Sequence, residues 1–494
     1  MTKLTLVSLQ DSLPPLGLAY IASYLREYGD FNNTKIVSVD LLHNLKNERE
    51  NLDRGVVKIK KSNPDIIGIS SVTQEFGIAS QLARILKSVL DVPIIVGGPH
   101  ITAIPYTLPE SFDIAVLGEG EQTILELIKL YEKSGFNKNQ LKKIKGIAFH
   151  NSNKVYITEE RELIRPLDRI PLPARDLVDM KRFTRPRWVF GNYRRRGTHI
   201  LTSRGCPYNC VFCSTRNFWR IPRFFSAEYV IKEIKELIEK YRVEAVTLYD
   251  DLFMANKNRI KKLAELIKEE GINEKVEFFA MARANLFNKE MAKLLKEMNF
   301  KALSFGFESM SPKILSYLKR NSVTVEQNRR AVSLCKKYGI DCLGMFIIGS
   351  PGETHENIMS TINFIKKSDI LHDIYILTPF PGTELWEYAK ARGLVNDYMN
   401  WDKVTMDFYD RVTMDFSNNL EENVIVADKV SREDLLNLLK IANTESRRKS
   451  YESFNFKLKD LLSAATINDF ISHPRVFTSS VAKIFYYKLK KYLQ

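Results

Sequence analysis

Three cysteines fall in one short run, Arg204-Gly205-Cys206-Pro207-Tyr208-Asn209-Cys210-Val211-Phe212-Cys213, spaced Cys-x3-Cys-x2-Cys with an aromatic residue just before the last. A closed structural zinc site takes four ligands, and no fourth Cys or His lies at a matching distance. Iron–sulfur clusters are held by thiolates, usually four. Three thiolates on one loop would therefore leave one iron free to bind something else. The other two cysteines, Cys335 and Cys342, flank a predicted strand and read as small apolar core residues.

The elements that position this loop follow a regular rhythm. Strands are predicted at His199–Ser203, Ala245–Tyr249, Glu277–Met281, Ala302–Gly306, Leu343–Ile348 and Ile374–Leu377, each followed by a helical stretch. Six β/α units suit an open, partial barrel, whose chemistry sits at the carboxyl ends of its strands. The cysteine loop follows the first strand and Asp250-Asp251-Leu252-Phe253 the second. Arg283 ends the third, Glu308-Ser309-Met310-Ser311 the fourth and Gly349-Ser350-Pro351-Gly352-Glu353-Thr354 the fifth. This order of motifs over residues 198–385 resembles the radical S-adenosylmethionine (SAM) core. The resemblance implies a [4Fe-4S] cluster on Cys206, Cys210 and Cys213 whose open iron chelates SAM. An electron from the cluster then splits SAM into methionine and a 5′-deoxyadenosyl radical. It also implies SAM contacts from Phe212, Asp250, Arg283, Glu308 and Ser309. An acid suits the ammonium, a guanidinium suits the carboxylate in two-pronged fashion, and Glu308 suits the ribose hydroxyls. Met310 stands where a glycine is usual and is expected to tighten the pocket.

Upstream, strands at Leu4–Val7, Lys35–Val39, Ile66–Ser71, Ile94–Val96 and Ile114–Leu117 alternate with helical patterns at Leu16–Tyr28, Ile78–Leu90 and Glu121–Tyr131. Such alternation implies a doubly wound parallel sheet that binds ligands beyond its carboxyl strand ends. There lie Pro14-Pro15-Leu16-Gly17-Leu18, Ser70-Ser71-Val72-Thr73-Gln74, Gly97-Gly98-Pro99-His100 and Gly118-Glu119-Gly120-Glu121. No phosphate-binding loop is present. As a set these motifs resemble the cobalamin-binding domain found ahead of radical SAM cores. The resemblance implies cobalamin contacts from Leu16, Gly17, Ser71, Thr73, Gln74, Gly97, Gly98, Pro99, Gly118, Glu119 and Gly120. Cobalamin-dependent mutases place a histidine on cobalt through Asp-x-His-x-x-Gly. That motif is absent, Asp40-Leu41-Leu42-His43 having the wrong spacing. Cobalamin is then expected with its tail displaced, no histidine on cobalt, and Thr73, Gln74 or Glu75 nearest its lower face. His100 is expected in a turn.

The expected organisation is thus a Rossmann-like cobalamin domain (1–145), a proline-rich linker (146–197), a partial (β/α)6 radical SAM barrel (198–385) and a mainly helical C-terminal region (386–494). With 494 residues and 44% hydrophobic content, the chain can fill several cores. The first strand begins almost at the N-terminus, no apolar run approaches a bilayer span, and the odd count of five cysteines suggests no disulfide framework. These features point to the cytoplasm. The net charge of +15 is spread along the chain, which reads as solvated surface and disfavours nucleic acid as partner. Arg194, Arg195 and Arg196 read as a basic loop. Past Glu445, lysines accumulate beside an apolar helical face of Val481, Ile484, Phe485 and Leu489. That helix either docks on the core or sits peripherally at the inner membrane surface, which would fit a lipid-like substrate.

The resemblance implies a cobalamin-dependent radical SAM methyltransferase acting on an unactivated carbon of a small or lipid-like molecule. Its partner would be a low-potential electron donor such as ferredoxin or flavodoxin. The alternatives are a ring-forming enzyme with the same cofactors, as in the anaerobic cyclase of chlorophyll synthesis, and a tRNA methylthiotransferase. The last carries three further cluster cysteines in its N-terminal domain, and no cysteine precedes Cys206. A non-catalytic cobalamin sensor leaves the cysteine loop unexplained. Replacing Cys206, Cys210 or Cys213 with Ala is expected to abolish 5′-deoxyadenosine formation by reconstituted protein, while Cys335→Ala leaves it intact. Full cleavage of SAM by any of the three loop variants would refute the cluster assignment.

Overall fold

A computed structural model describes residues 2–453 apart from 11–12, 40–47, 190–192, 220, 369 and 405–422. The N-terminal sheet contains β1 (Leu4–Ser8), β2 (Thr34–Ser38), β3 (Ile66–Ser70), β4 (Ile94–Gly97) and β5 (Ile114–Val116), all parallel, in the order β2-β1-β3-β4-β5. β1 is buried throughout, because helices cover both faces of a parallel sheet and its strands read as continuous apolar runs. The strand order reverses between β1 and β3, and the crevice at such a switch point is where ligands of these sheets bind. Two antiparallel strands, β6 (Ile147–Asn151) and β7 (Lys154–Ile157), extend the β5 edge. The hairpin around Val155, expected in the linker, is therefore part of this sheet.

The second sheet follows a proline-rich bridge. It comprises β8 (Pro186–Val189) and β9 (Tyr193–Ile200), and, beyond a small ribbon of β10 (Ser203–Arg204) and β11 (Arg223–Phe224), β12 (Ala245–Leu248), β13 (Glu277–Ala282), β14 (Phe300–Glu308), β15 (Asp341–Ile348) and β16 (Leu371–Ile376). β9 and β12–β16 form six parallel strands with β8 antiparallel at the edge. β9 starts at Tyr193, so Arg194–Arg196 lie in a strand at the amino end of the sheet rather than in a loop, and Arg195 pairs with Glu277 at 2.8 Å. That is the end remote from the cysteine loop. One face, with Leu248, Phe278, Phe305 and Phe346, is buried in the main apolar core. On the opposite, concave face Thr247, Met281, Met345, Ile347 and Tyr375 are only half-buried, and Tyr249 is exposed. Tyr193, Ala245, Phe279 and Ala302 close its amino end.

The C-terminal region ties both sheets together. Helix Glu384–Ala391 leads to a short turn at Trp401–Lys403 that lies against the N-terminal domain. There Trp401 stacks on Trp386 (centroids 5.8 Å apart) and meets His100 edge-on at 4.3 Å. Helix Arg432–Ser453 buries Leu435, Leu438, Leu439 and Ala442 in the barrel core. The basic, amphipathic segment at 457–491 lies outside the described residues. Among those described, no helix is long and apolar enough to cross a membrane.

One backbone position tests this packing. Gly98 has φ 118°, and a Cβ there would lie 2.2 Å from the Ser71 carbonyl oxygen. Gly98→Ala combines a strained dihedral with a backbone clash and is expected to cost roughly 3 kcal/mol. A lowered denaturant midpoint measures this, and an unchanged midpoint would contradict it.

Candidate active site

Two adjacent acids hold the cysteine loop. Asp250 accepts from Thr202 N (2.5 Å), Thr202 Oγ1 (2.5 Å) and Ser203 N (3.0 Å), ahead of Cys206. Asp251 accepts from Gly205 N (2.9 Å) and from Thr215 Oγ1 (2.8 Å), just past Cys213. Burial raises the pKa of both carboxyls, and the hydrogen bonds to their oxygens offset that cost. Asp250, expected opposite the SAM ammonium, spends its oxygens here on the backbone and hydroxyl of the strand end and so clamps the loop.

Cys206, Cys210 and Cys213 are free and half-buried. Burial is the main cause that lifts the Cys206 thiol to about 11, and it raises Cys213 as well. Thiols in this setting would need a bound cation, such as a cluster's iron, to be held as thiolates. Arg283 Nη1 lies 3.4 Å from Cys210 Sγ and donates to it, with the guanidinium 3.7 Å from the Tyr208 ring centroid. Among the described residues no three His, Cys, Asp or Glu side chains converge as they would on a single ion. A cubane presents separate iron corners, which suits thiolates spread along one loop.

Around the loop, Arg283 Nη2 donates to Ser322 Oγ, which donates to the Lys319 carbonyl. The Lys319 ammonium pairs with Glu308 at 2.6 Å and sits 5.7 Å from the Phe212 ring centroid. Glu308 has φ 59° at the end of β14. Phe212, Arg283 and Glu308 are thereby brought together about the cysteines. Ser309 is not. It is fully buried, its hydroxyl 3.4 Å from Thr361 Oγ1 and accepting from Ser311 N. Met310 also turns inward, its sulfur 3.9 Å from Asn328 Nδ2, so it does not tighten a pocket. Glu353 accepts from Gly349 N (2.7 Å) and Ser350 N (2.9 Å), and burial raises its pKa to about 7. Asp251 stands in the run quoted after the second strand, but no role was expected of it; Lys319 and Ser322 were not singled out and carry no signal in the sequence.

In the N-terminal domain Gly17, Gly97, Gly98, Gly118, Glu119 and Gly120 line one cleft of about 170 Å³. Its far wall comes from the barrel, through Leu201, Arg204, Phe218 and Trp219. A Cβ at Gly17 or Gly118 would meet no atom within 4 Å, so the cradle there is open to a ligand. Leu16, Ser71, Thr73, Gln74 and Pro99 are not among the lining residues. Leu16 is in the core beneath, Pro99 begins helix Pro99–Ala103, and Ser71 supports Gly98. Thr73 and Gln74 belong to a short 3-10 turn, with Thr73 Oγ1 3.3 Å from His100 Nδ1. His100 is buried against Phe76 (4.0 Å) and Trp401, not turned out in a loop, and burial holds its pKa down to about 3. Asp40–His43 lies outside the described residues.

Charges join this cleft to the cysteine loop. Arg204 donates to Glu119 and Glu121, both at 2.6 Å, and Arg223 to Glu119 at 2.9 Å. All four side chains are at most 6% exposed. Burial alone works to lower the Arg204 pKa, but Glu121 and Glu119 carry it above its ordinary value. Burial likewise works to raise Glu119, and Arg204 with Arg223 outweighs it, leaving the carboxyl below its usual range. The guanidinium of Arg204 lies 5.4 Å from the Tyr20 ring centroid and 4.9 Å from that of Trp219.

A glycine-lined Rossmann-like cleft facing a half-barrel with a three-cysteine loop defines a two-cofactor α/β enzyme. The chain matches the B12 binding domain over residues 2–128 and the radical SAM superfamily over residues 200–365. It is 39% identical over 399 residues, covering 79% of this chain and 82% of the relative, to an uncharacterized methyltransferase of Pyrococcus horikoshii. It is 25% identical, over 80% of this chain and 63% of the relative, to the anaerobic magnesium-protoporphyrin IX monomethyl ester cyclase of Cereibacter sphaeroides. Its fold is similar to that of the radical SAM methyltransferase TsrM of Kitasatospora setae solved with cobalamin and a [4Fe-4S] cluster. That likeness has a TM-score of 0.63 at 19% identity and covers 80% of this chain and 79% of that one. The chain belongs to the cobalamin-dependent radical SAM enzymes. Its cofactors are a [4Fe-4S] cluster, SAM and cobalamin.

The enclosed His100 and the missing Asp-x-His-x-x-Gly both disfavour a protein imidazole on cobalt, and the resemblance implies that the cofactor's own base is displaced as well. Electron paramagnetic resonance of the Co(II) form is expected to show no nitrogen hyperfine splitting. Such splitting, from protein or cofactor base, would refute this.

Proposed function

We propose that the protein transfers a methyl group from SAM to a non-nucleophilic carbon of a largely apolar small or lipid-like substrate. The observation that carries this reading is the shared wall. Trp219 and Arg204 line the cobalamin cleft while Arg204 stands two residues before Cys206, so both cofactors serve one space. The cluster supplies reductive cleavage of SAM, and cobalamin supplies carriage of the methyl group. The protein's own part is placement. Asp250 and Asp251 hold the loop, Arg283 and the Glu308–Lys319 pair offer charges for the SAM carboxylate and ribose, and the concave barrel face takes the substrate. Tyr249, Met281, Met345, Ile347 and Tyr375 give that face an apolar, aromatic character suited to a hydrophobic molecule. Electrons come from a low-potential donor of the ferredoxin or flavodoxin kind. Two of the three relatives named above are methyltransferases, which favours methylation, and the cyclase relative makes ring formation the competing outcome.

Stoichiometry decides between them. Anaerobic turnover with methyl-labelled SAM is expected to give one labelled methyl per product, with one equivalent each of S-adenosylhomocysteine and 5′-deoxyadenosine. A product without label, formed with 5′-deoxyadenosine but no matching S-adenosylhomocysteine, would replace methylation with ring formation.

A further inference from the structure

Arg204 belongs to two sites at once. Its main chain runs through Gly205 into Cys206, while its side chain forms part of the cleft wall. Nη1 and Nη2 are committed to Glu119 and Glu121. Nε is buried and has no partner. The cradle that shares this cleft is open where a Cβ at Gly17 or Gly118 would stand. A buried N–H without an acceptor is costly, and here it belongs to a side chain that lines a ligand cleft.

The same clasp grips both strands of the ribbon that launches the cysteine loop. Arg204 pairs with Arg223 across β10 and β11, and Arg223 shares Glu119 with it through Nη1 (2.9 Å) and Nη2 (3.0 Å). Glu119 and Glu121 meanwhile open the helix Gly120–Ser134 of the cobalamin domain. Glu119 also accepts from Ile164 N, in the bridge between the domains. Anything that steadies the guanidinium from the cleft side steadies the ribbon, and a cluster that orders the loop presets the guanidinium for the ligand.

We propose that Arg204 donates to an acceptor oxygen of the cobalamin tail, and that the Glu119–Arg204–Glu121 clasp couples cobalamin binding to cluster binding energetically. The inference rests on the assignment of cobalamin to this cleft. Coupling between two binding sites is reciprocal, so each cofactor tightens the other by the same factor.

The test uses the full-length chain and needs no turnover. Cobalamin is titrated by absorbance into protein with and without reconstituted cluster, and iron loss to a chelator is timed with and without cobalamin. The expected result is a Kd at least about five-fold lower with the cluster present, together with slower iron loss when cobalamin is bound. Glu121→Gln, which keeps the shape but removes one charge from the clasp, is expected to bring the Kd ratio towards one. Arg204→Met does the same and also weakens cobalamin binding to the cluster-free protein. Equal Kd values in the wild type would overturn the coupling, as would a ratio that survives Glu121→Gln undiminished. The wild-type ratio and Glu121→Gln decide the coupling whether or not Arg204→Met folds. The donation is decided by cluster-free Arg204→Met or, should that misfold, by Arg204→Lys, which keeps the charge but lacks Nε, and an unchanged Kd for the folded variant would overturn it. Cobalamin failing to bind the wild type at all would instead remove the cleft assignment, and the coupling with it.

Discussion

Four buried charges between the two sheets tie the glycine-lined cleft to the cysteine loop. Taking two carboxylates and two guanidinium groups out of water is expensive, and the arrangement survives only because each is met at short range by an opposite charge. Arg204 adds aromatic faces on Tyr20 and Trp219, a packing suited to its planar, weakly hydrated guanidinium. An apolar interface of equal area could hold the domains together as firmly, but it would tolerate sliding. A charge cluster does not, since a small displacement leaves a buried charge unpaired at a cost of about 3–5 kcal/mol. What the clasp contributes is register between a cofactor cleft and a cysteine loop.

Around that fixed register, acids and bases have been given separate work. Asp250 and Asp251 spend their oxygens on backbone and hydroxyl donors at either end of the loop, and Asp251 is still near enough to Cys213 to help raise its thiol pKa, after burial. One positive charge faces a sulfur, Arg283 on Cys210, while Lys319 stands over the Phe212 ring and is neutralised by Glu308. Hydrogen bonds to the sulfurs and net local charge are among the factors that set a cluster's reduction potential. With a cluster bound, the hydrogen bond from Arg283 to Cys210 would favour the reduced form, which the reductive cleavage of SAM requires.

The alternation of strands and helices was legible because strands buried on both sides are uniformly apolar, as in Ile66–Ser70, and their glycine-rich ends stand out against them. The hairpin β6–β7 was harder to place. Its outer strand is exposed except for half-buried Val155, and nothing local says which sheet edge will accept it. The start of β9 was hidden by three arginines that a strand can carry at its solvent end. At the site, residue type was readable but direction was not. The pairing of β14 with β15 shifts between Gly306 and Glu308, and Glu308 takes a left-handed conformation. Such an irregularity changes which face the following side chains meet, which is how Glu308 reaches Lys319 while Ser309 and Met310 turn into the core. Asp250 illustrates the same limit: an acid at a strand end can bind a ligand's ammonium or its own chain's amides, and only the fold of Thr202–Ser203 decides.

The barrel also constrains how a substrate arrives. Its amino end is closed by Tyr193, Phe279, Ala245 and Ala302, and Tyr193 is pinned by a 3.0 Å hydrogen bond from its hydroxyl to Asp341. Helix Arg432–Ser453 packs along β16 at the far side. The half-exposed residues of the concave face are therefore approached from the carboxyl ends of the strands, where the cysteine loop lies. Helix Thr215–Trp219, which follows that loop, reaches across to the cobalamin domain and brings Trp219 into the cleft wall. A molecule entering by that route passes the segment connecting the two cofactor sites before it meets the apolar floor. On the proposed function, a carbon far from any polar handle would then be presented to both sites, the apolar floor accepting the body of the molecule while the charges near the mouth are left to SAM.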